Sequence, residues 1–186
     1  MEPFFSRVVD SAGARPGGGA VVLIGMPGAG KSTVGVLLAK HLGLGFVDTD
    51  ILIQERAGRR LQQILDEAGY RELRRLEEEA ILALEAGGAV IATGGSAVYS
   101  ARAMRHLGEF GKIVYLKAGC DLLAARIDDY ERRGIANPGR QSFEEIYRER
   151  TPLYERCAGA VVAVDGLTHE EVARAVIVAI GGKSIG

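Results

Sequence analysis

The segment Gly25-Met26-Pro27-Gly28-Ala29-Gly30-Lys31-Ser32-Thr33 constrains this chain more than any other. It carries a glycine, four residues, a second glycine, then Lys31 and Ser32, the spacing of a phosphate-cradling loop. Glycines let backbone N–H groups turn inward around a nucleotide phosphate, and the helix that follows adds its N-terminal dipole. Lys31 can bridge β- and γ-phosphate oxygens, and the Ser32 hydroxyl can ligate Mg²⁺. The context agrees: Ala20-Val21-Val22-Leu23-Ile24 reads as a buried strand, and Thr33 to Leu42 as an amphipathic helix. A strand that runs through such a loop into a helix commits the chain to an α/β architecture with a parallel sheet.

The rest of the pattern extends that architecture. Short apolar runs predict strands at Val21–Ile24, Phe46–Asp48, Val90–Thr93, Ile113–Leu116 and Val161–Val164. Being nearly all apolar, each is expected to be buried on both faces. Helical patterns fill the gaps: Lys31–Leu42, Ile51–Ala57, Leu61–Ala68, Arg71–Ala86, Ala101–Leu107, Asp121–Tyr130, Phe143–Cys157 and His169–Ile180. Ser142 and Thr168 each stand three residues before a glutamate, the form of a capping box. The expectation is a three-layer αβα fold around a five-stranded parallel sheet. At 186 residues it is one domain, 19–186, after an extension at 1–18. A polar, Gly- and Pro-broken stretch at about 131–141 is expected to form a mobile lid.

Composition narrows the function classes. The charge balance is 23 − 24 = −1, which argues against nucleic-acid phosphates or anionic lipid as the main partner. No apolar run approaches the ~18 residues of a membrane span. Two cysteines cannot build a disulfide framework, so a reducing, cytoplasmic setting is expected. The partner expected is a small-molecule substrate, taken by a monomer.

Further chemistry lies at the ends of predicted strands, where open α/β sheets bind ligands. Asp48-Thr49-Asp50 ends the second strand. One carboxylate can face Mg²⁺ through water and the other an acceptor hydroxyl; alternatively Asp50 caps a helix that begins at Ile51. Thr93-Gly94-Gly95-Ser96 follows the third strand, where paired glycines let a ligand approach the backbone or simply turn the chain. Arg74-Arg75-Leu76-Glu77-Glu78-Glu79 lies within a helix, where Arg74–Glu78 and Arg75–Glu79 pairs on a solvated face are the plain expectation. Arg126, Arg133 and Arg150 surround the broken loop. Of the 23 basic residues 18 are arginine, the planar fork that reads carboxylate and phosphate.

Taken together these motifs resemble the shikimate kinases, small phosphate-loop kinases related to nucleoside monophosphate kinases. The resemblance runs from about Val21 to Ile180. It rests on the phosphate loop, Leu44-Gly45-Phe46-Val47-Asp48-Thr49-Asp50, the Arg74–Glu77 helix, Thr93-Gly94-Gly95 and Arg150-Thr151-Pro152-Leu153-Tyr154. It implies ATP and Mg²⁺, transfer of the γ-phosphoryl group to shikimate to give shikimate 3-phosphate and ADP, and a place in aromatic amino-acid biosynthesis through the chorismate pathway. It implies that Gly28, Ala29, Gly30, Lys31, Ser32 and Thr33 hold nucleotide phosphates, with Ser32 and Asp48 at the metal. Lys31, Asp50 and Arg133 would be catalytic, Asp50 touching the acceptor hydroxyl and Arg133 closing from the lid. Arg126 would stack on adenine. Asp50, Arg74, Gly94, Gly95 and Arg150 would bind the acceptor, the two arginines at its carboxylate.

Departures from the family pattern cluster around that acceptor. Ser96 stands where a third glycine is usual, and Tyr70 where glutamate follows Gly69. Leu65 and Leu73 replace aromatic residues, and Gly134-Ile135-Ala136 replaces Pro-Leu-Leu after Arg133. The alternatives are a kinase of another small hydroxylated acid such as gluconate, and a nucleotide-binding regulatory module.

Overall fold

A computed structural model describes residues 19–85, 87–126 and 141–181. The extension 1–18, Arg133 and the expected lid, apart from Gln141, lie outside the described residues.

The elements alternate in the order that the phosphate loop demands: β1 (Ala20–Ile24), α1 (Lys31–Leu42), β2 (Gly45–Asp48), α2 (Thr49–Ala57), α3 (Leu61–Leu82), β3 (Ala89–Ala92), a 3₁₀ turn (Ala97–Tyr99), α4 (Ala101–Phe110), β4 (Gly111–Lys117), α5 (Cys120–Arg126), α6 (Phe143–Cys157), β5 (Ala160–Ala163) and α7 (His169–Ala179). The strands pair in parallel in the order β2-β3-β1-β4-β5, giving a three-layer αβα fold. Parallel pairing sends every strand out at one edge of the sheet. Because β2, β3 and β1 are neighbours, Asp48, Thr93 and the phosphate loop emerge side by side there.

β1 and β3 are buried throughout, as all-apolar strands in a covered sheet should be. The edge strands depart from that expectation. β2 is half-buried along its length, and on β5 Val161 is 50% exposed. Each has a partner on one side only, so its outer side faces solvent however apolar its sequence. The main core joins β1, β3 and β4 to α1, α4 and α7, with Val22, Leu23, Ile24, Leu38, Leu107 and Val176 fully enclosed. A second, smaller cluster of Ile53, Ile64, Leu73 and Ala80 joins α2 to α3.

The two expected helices, Leu61–Ala68 and Arg71–Ala86, are the two halves of α3, broken between them at a kink and ending at Leu82. The kink is Gly69, at φ 78° and ψ 173°, a backbone conformation closed to residues with a Cβ. It re-aims the second half of α3, which carries Arg74 and Glu77, toward the sheet edge. Both expected capping boxes form, Ser142 with Glu145 on α6 and Thr168 with Glu171 on α7. Among the described residues no helix is long and apolar enough to cross a membrane.

Candidate active site

A cleft of about 670 Å³ opens at the C-terminal edge of the sheet, lined by Pro27, Lys31, Ser32, Asp50, Arg126 and His169 among others. Lys31 is buried at the start of α1, and its ammonium donates to the carbonyls of Gly25 (2.8 Å) and Met26 (2.9 Å). These bonds fold the side chain over its own loop, toward the space the loop encloses. Burial pulls its pKa down to about 8, against the attraction of Asp50, Asp48 and Glu77. Ser32 Oγ donates to Asp48 Oδ2 at 2.6 Å on the open side of the cleft. Thr33, next to Ser32 on the first turn of α1, is exposed; in the loop Gly28 and Gly30 are half-buried and Ala29 is buried. Arg126, from the end of α5, donates from Nη1 to the Gly28 carbonyl at 3.3 Å. The His169 ring lies against Gly30 from the other side, 3.1 Å from where a Cβ would stand.

The two aspartates at the end of β2 have separate tasks. Asp48 caps α2, accepting from the backbone N–H of Asp50 (2.9 Å) and Ile51 (3.4 Å). The alternative in which Asp50 caps a helix starting at Ile51 is thereby corrected: α2 starts at Thr49, inside which Asp50 cannot be the cap. Asp50 is left with its carboxylate in the cleft. Burial, and then the nearby Asp48, push that carboxyl up to about 6, with Lys31 pulling the other way. A raised carboxyl can hold a proton near neutral pH.

Beyond Asp50 lies the turn after β3. Gly94 N–H donates to Thr49 Oγ1 at 3.0 Å. A Cβ on Gly94 would overlap Glu77 Oε1 and lie 2.7 Å from Asp50 Oδ1, so two carboxylates from different elements meet over this bare α-carbon. Glu77 is 3% exposed. Its Oε2 accepts from the Ser96 hydroxyl, and its Oε1 has no hydrogen-bond partner among the described residues. Burial first, then Asp50, push Glu77 up to about 7; Ser96, Arg150 and Lys31 oppose this. Ser96 therefore re-polarises the region through Glu77.

Gly95 lies between Pro27 of the phosphate loop and Arg150 of α6; a Cβ there would stand 2.9 Å from Pro27 Cδ and 3.1 Å from Arg150 Nη1. Tyr154, one turn after Arg150, is fully buried and donates to the Gly95 carbonyl at 2.5 Å. Arg150 is 1% exposed despite its charge. It shares the ring of Tyr99 with Arg74, which is 76 positions earlier: the guanidinium carbons stand 5.3 Å and 3.6 Å from the ring centroid. The Arg74–Glu78 pair expected on a solvated face is replaced by this stacking, while Arg75 pairs with Glu72 and Glu79. The structure thus brings Lys31, Ser32, Asp48, Asp50, Gly94, Gly95 and Arg150 to one edge of the sheet, and Arg74 to Arg150.

Sequence reasoning missed Glu77 and Tyr99, and the cleft-lining Gln54, Arg60, Gln62 and His169; Tyr70, noted there as a departure near the acceptor, lies against Arg74. Glu77 did leave a signal. Leu73, Glu77, Ala80 and Ile81 repeat at helical spacing and are all buried, so the glutamate stands in the apolar stripe of α3. Tyr99 left none, because a lone aromatic has no period.

With known proteins the chain compares as follows. The family description "Shikimate kinase" matches residues 27–181. The chain is 38% identical to the shikimate kinase of Paracidovorax citrulli, over 77% of this chain and 81% of that one. It is 37% identical to that of Thermodesulfovibrio yellowstonii, over 84% and 92%. Among solved structures it superposes on shikimate kinase from Acinetobacter baumannii in complex with shikimate with a TM-score of 0.77 at 28% identity, covering 86% of this chain and 90% of that one. A gluconokinase from Sinorhizobium meliloti, at TM-score 0.51 and 20% identity over 88% and 91%, shares the fold alone.

Proposed function

This chain belongs to the shikimate kinase family, and from that premise we propose how its own residues move the γ-phosphoryl group of ATP onto the 3-hydroxyl of shikimate. The observation that carries the reading is the arrangement on either side of Gly94 and Gly95. On one side a buried Asp50 stands beside the phosphate-loop lysine; on the other, Arg150 abuts Gly95 and shares a ring with Arg74. An acceptor that spans this gap presents a hydroxyl at one end and a carboxylate at the other.

The phosphate loop and the α1 N-terminus hold the ATP phosphates, and phosphate oxygens take over the Lys31 ammonium from the Gly25 and Met26 carbonyls. Arg126 holds the nucleotide from the Gly28 side. The Ser32–Asp48 pair offers hard oxygen donors on the cleft face, and among the described residues no group of three or more His, Cys, Asp or Glu is placed to hold a metal ion by itself. That donor set fits Mg²⁺, which keeps most of its shell as water and phosphate oxygen. When bound there, Mg²⁺ neutralises charge on the β- and γ-phosphates. Asp50 accepts the proton of the acceptor hydroxyl as that oxygen bonds to the γ-phosphorus. The bond from γ-phosphorus to the β-bridging oxygen breaks, and ADP leaves. Positioning and charge stabilisation carry the rate. Arg74 and Arg150 take the carboxylate, for which a planar, two-pronged cation is the matching donor.

The reading extends to a monomer in a reducing cytoplasm. All the groups above come from one chain, and both cysteines are free thiols. The test is turnover of a panel of hydroxy acids with ATP and Mg²⁺. Shikimate should be the preferred acceptor by kcat/KM. Preference for gluconate would move the assignment to another acid kinase, and ATP binding without transfer to any acid would favour a regulatory module.

A further inference from the structure

We propose that Tyr99 is a positioning residue that sets both acceptor-binding arginines, stacking on Arg74 without consuming its in-plane donors and accepting from Nε of Arg150; this rests on the function above. A cation that must read a carboxylate faces two demands. It has to be held still, or binding costs its rotamer freedom, and its N–H groups have to stay unspent. A partner carboxylate meets the first demand and defeats the second. An aromatic face meets both, because it attracts the cation perpendicular to the guanidinium plane, where there are no N–H bonds.

The geometry at Arg74 has this form. Its guanidinium carbon stands 3.6 Å from the Tyr99 centroid and 5.2 Å from that of Tyr70. Its Nε and Nη2 are shielded from solvent and have no hydrogen-bond partner among the described residues. Two buried donors on a cation are costly to leave unmet, so they mark a place for an anion. Glu77, the buried carboxylate on the same helix, makes no ion pair with Arg74; its Oε2 accepts from Ser96. Tyr99 also reaches the second arginine: Arg150 Nε donates to the Tyr99 hydroxyl at 3.3 Å, with its guanidinium carbon 5.3 Å from the same centroid. The hydroxyl in turn donates to Glu149 Oε1 at 2.6 Å, which fixes the ring about its axis and leaves its oxygen lone pairs toward Arg150. One tyrosine, on the turn that follows Gly94-Gly95-Ser96, thereby ties α3 and α6 to the acceptor loop. Substrate specificity for an acid follows from this clamp.

The test separates positioning from mere packing by comparing shikimate with its primary carboxamide, which keeps every hydroxyl and loses the charge. Tyr99→Leu should raise the KM for shikimate about tenfold, the loss of stacking on two cations, with kcat and the KM for ATP changed less than about twofold. Its effect on the KM for the carboxamide should stay below about twofold. Tyr99→Trp, which keeps an aromatic face, should recover most of the loss. Equal penalties on acid and amide, or none on either, overturn the inference while leaving the kinase assignment standing. A wild-type chain that fails to phosphorylate shikimate overturns the assignment and the inference together. If Tyr99→Leu melts below the assay temperature, Tyr99→Phe decides. It keeps the face and loses the Arg150 bond, and should cost the acid about threefold more than the amide; no difference overturns the role.

Discussion

Lys31 and Asp50 bear the most direct consequences at the scale of single residues. Lys31→Met removes a charge aimed at the transferring group while the apolar stem still fills its buried place, so the melting temperature should hold and turnover should fall by roughly 10²-fold or more. Near-wild-type turnover in the folded variant would remove Lys31 from the mechanism. Asp50→Asn keeps the shape and loses the base; phosphoryl transfer should fall by about 10²–10⁴-fold with the KM for ATP little changed. A matching loss of ATP affinity, read by calorimetry, would assign Asp50 to the nucleotide instead. These residues were legible because their signals are local: a glycine spacing with Lys and Ser, and two aspartates at a strand end. Glu77 was not, since a glutamate in Arg-Arg-Leu-Glu-Glu-Glu reads as solvated until its place in the stripe of Leu73, Ala80 and Ile81 is weighed. Tyr99 owes its role to neighbours 25 positions before it and 51 after it, distances at which a single sequence carries no pattern.

Elements determine how well those side chains are aimed. The alternation of apolar runs with helical periods placed every strand and helix of the described chain, because a parallel sheet leaves each strand a continuous apolar run. What it missed were properties set by neighbours. The edge positions of β2 and β5, and with them the half-exposed faces of those strands, depend on strand order. The turn after β3 is the most demanding element. Gly94→Ala would drive a Cβ into Glu77 Oε1 and against Asp50 Oδ1, so the acceptor side should open, with the KM for shikimate rising at least about tenfold and ATP binding retained. An unchanged KM would show that the two carboxylates do not define the acceptor face. Helix α6 carries Arg150 and begins with a reciprocal cap, Glu145 N–H to Ser142 Oγ at 3.2 Å and Ser142 N–H to Glu145 Oε2 at 2.7 Å. Ser142→Ala should cost about 1 kcal/mol in urea unfolding. A cost near zero would mean that the packing of Ile146 and Tyr154 holds the helix by itself.

For the molecule as a whole, the site is built against the fold's own stability. Glu77 is raised from its ordinary 4.5 to about 7, chiefly by burial and then by Asp50, with Ser96, Arg150 and Lys31 opposing. Its neutral form is the one the fold favours. Stability from this group is therefore complete below about pH 4.5 and is lost as pH rises toward 7. Asp50, raised to about 6, slopes the same way over a narrower window. Urea unfolding should show a fall between pH 5 and 7.5 on the order of 2 kcal/mol, flattened in Glu77→Gln. A variant whose profile overlays the wild type would show Glu77 ionised throughout. The same crowding that weakens the fold gathers Asp50, Lys31 and Arg150 about Gly94 and Gly95 at one gap in the sheet edge, with Arg74 reaching Arg150 across the Tyr99 ring. The central claim is that this gap takes shikimate and delivers its 3-hydroxyl to the γ-phosphate. Phosphorus NMR of the purified chain with ATP, Mg²⁺ and shikimate measures that directly. The account predicts one new phosphate monoester, coupled to the proton at carbon 3 and formed mole for mole with ADP. Phosphate released to water, an ester at another hydroxyl, or no transfer to shikimate under conditions where another hydroxy acid is phosphorylated would contradict it.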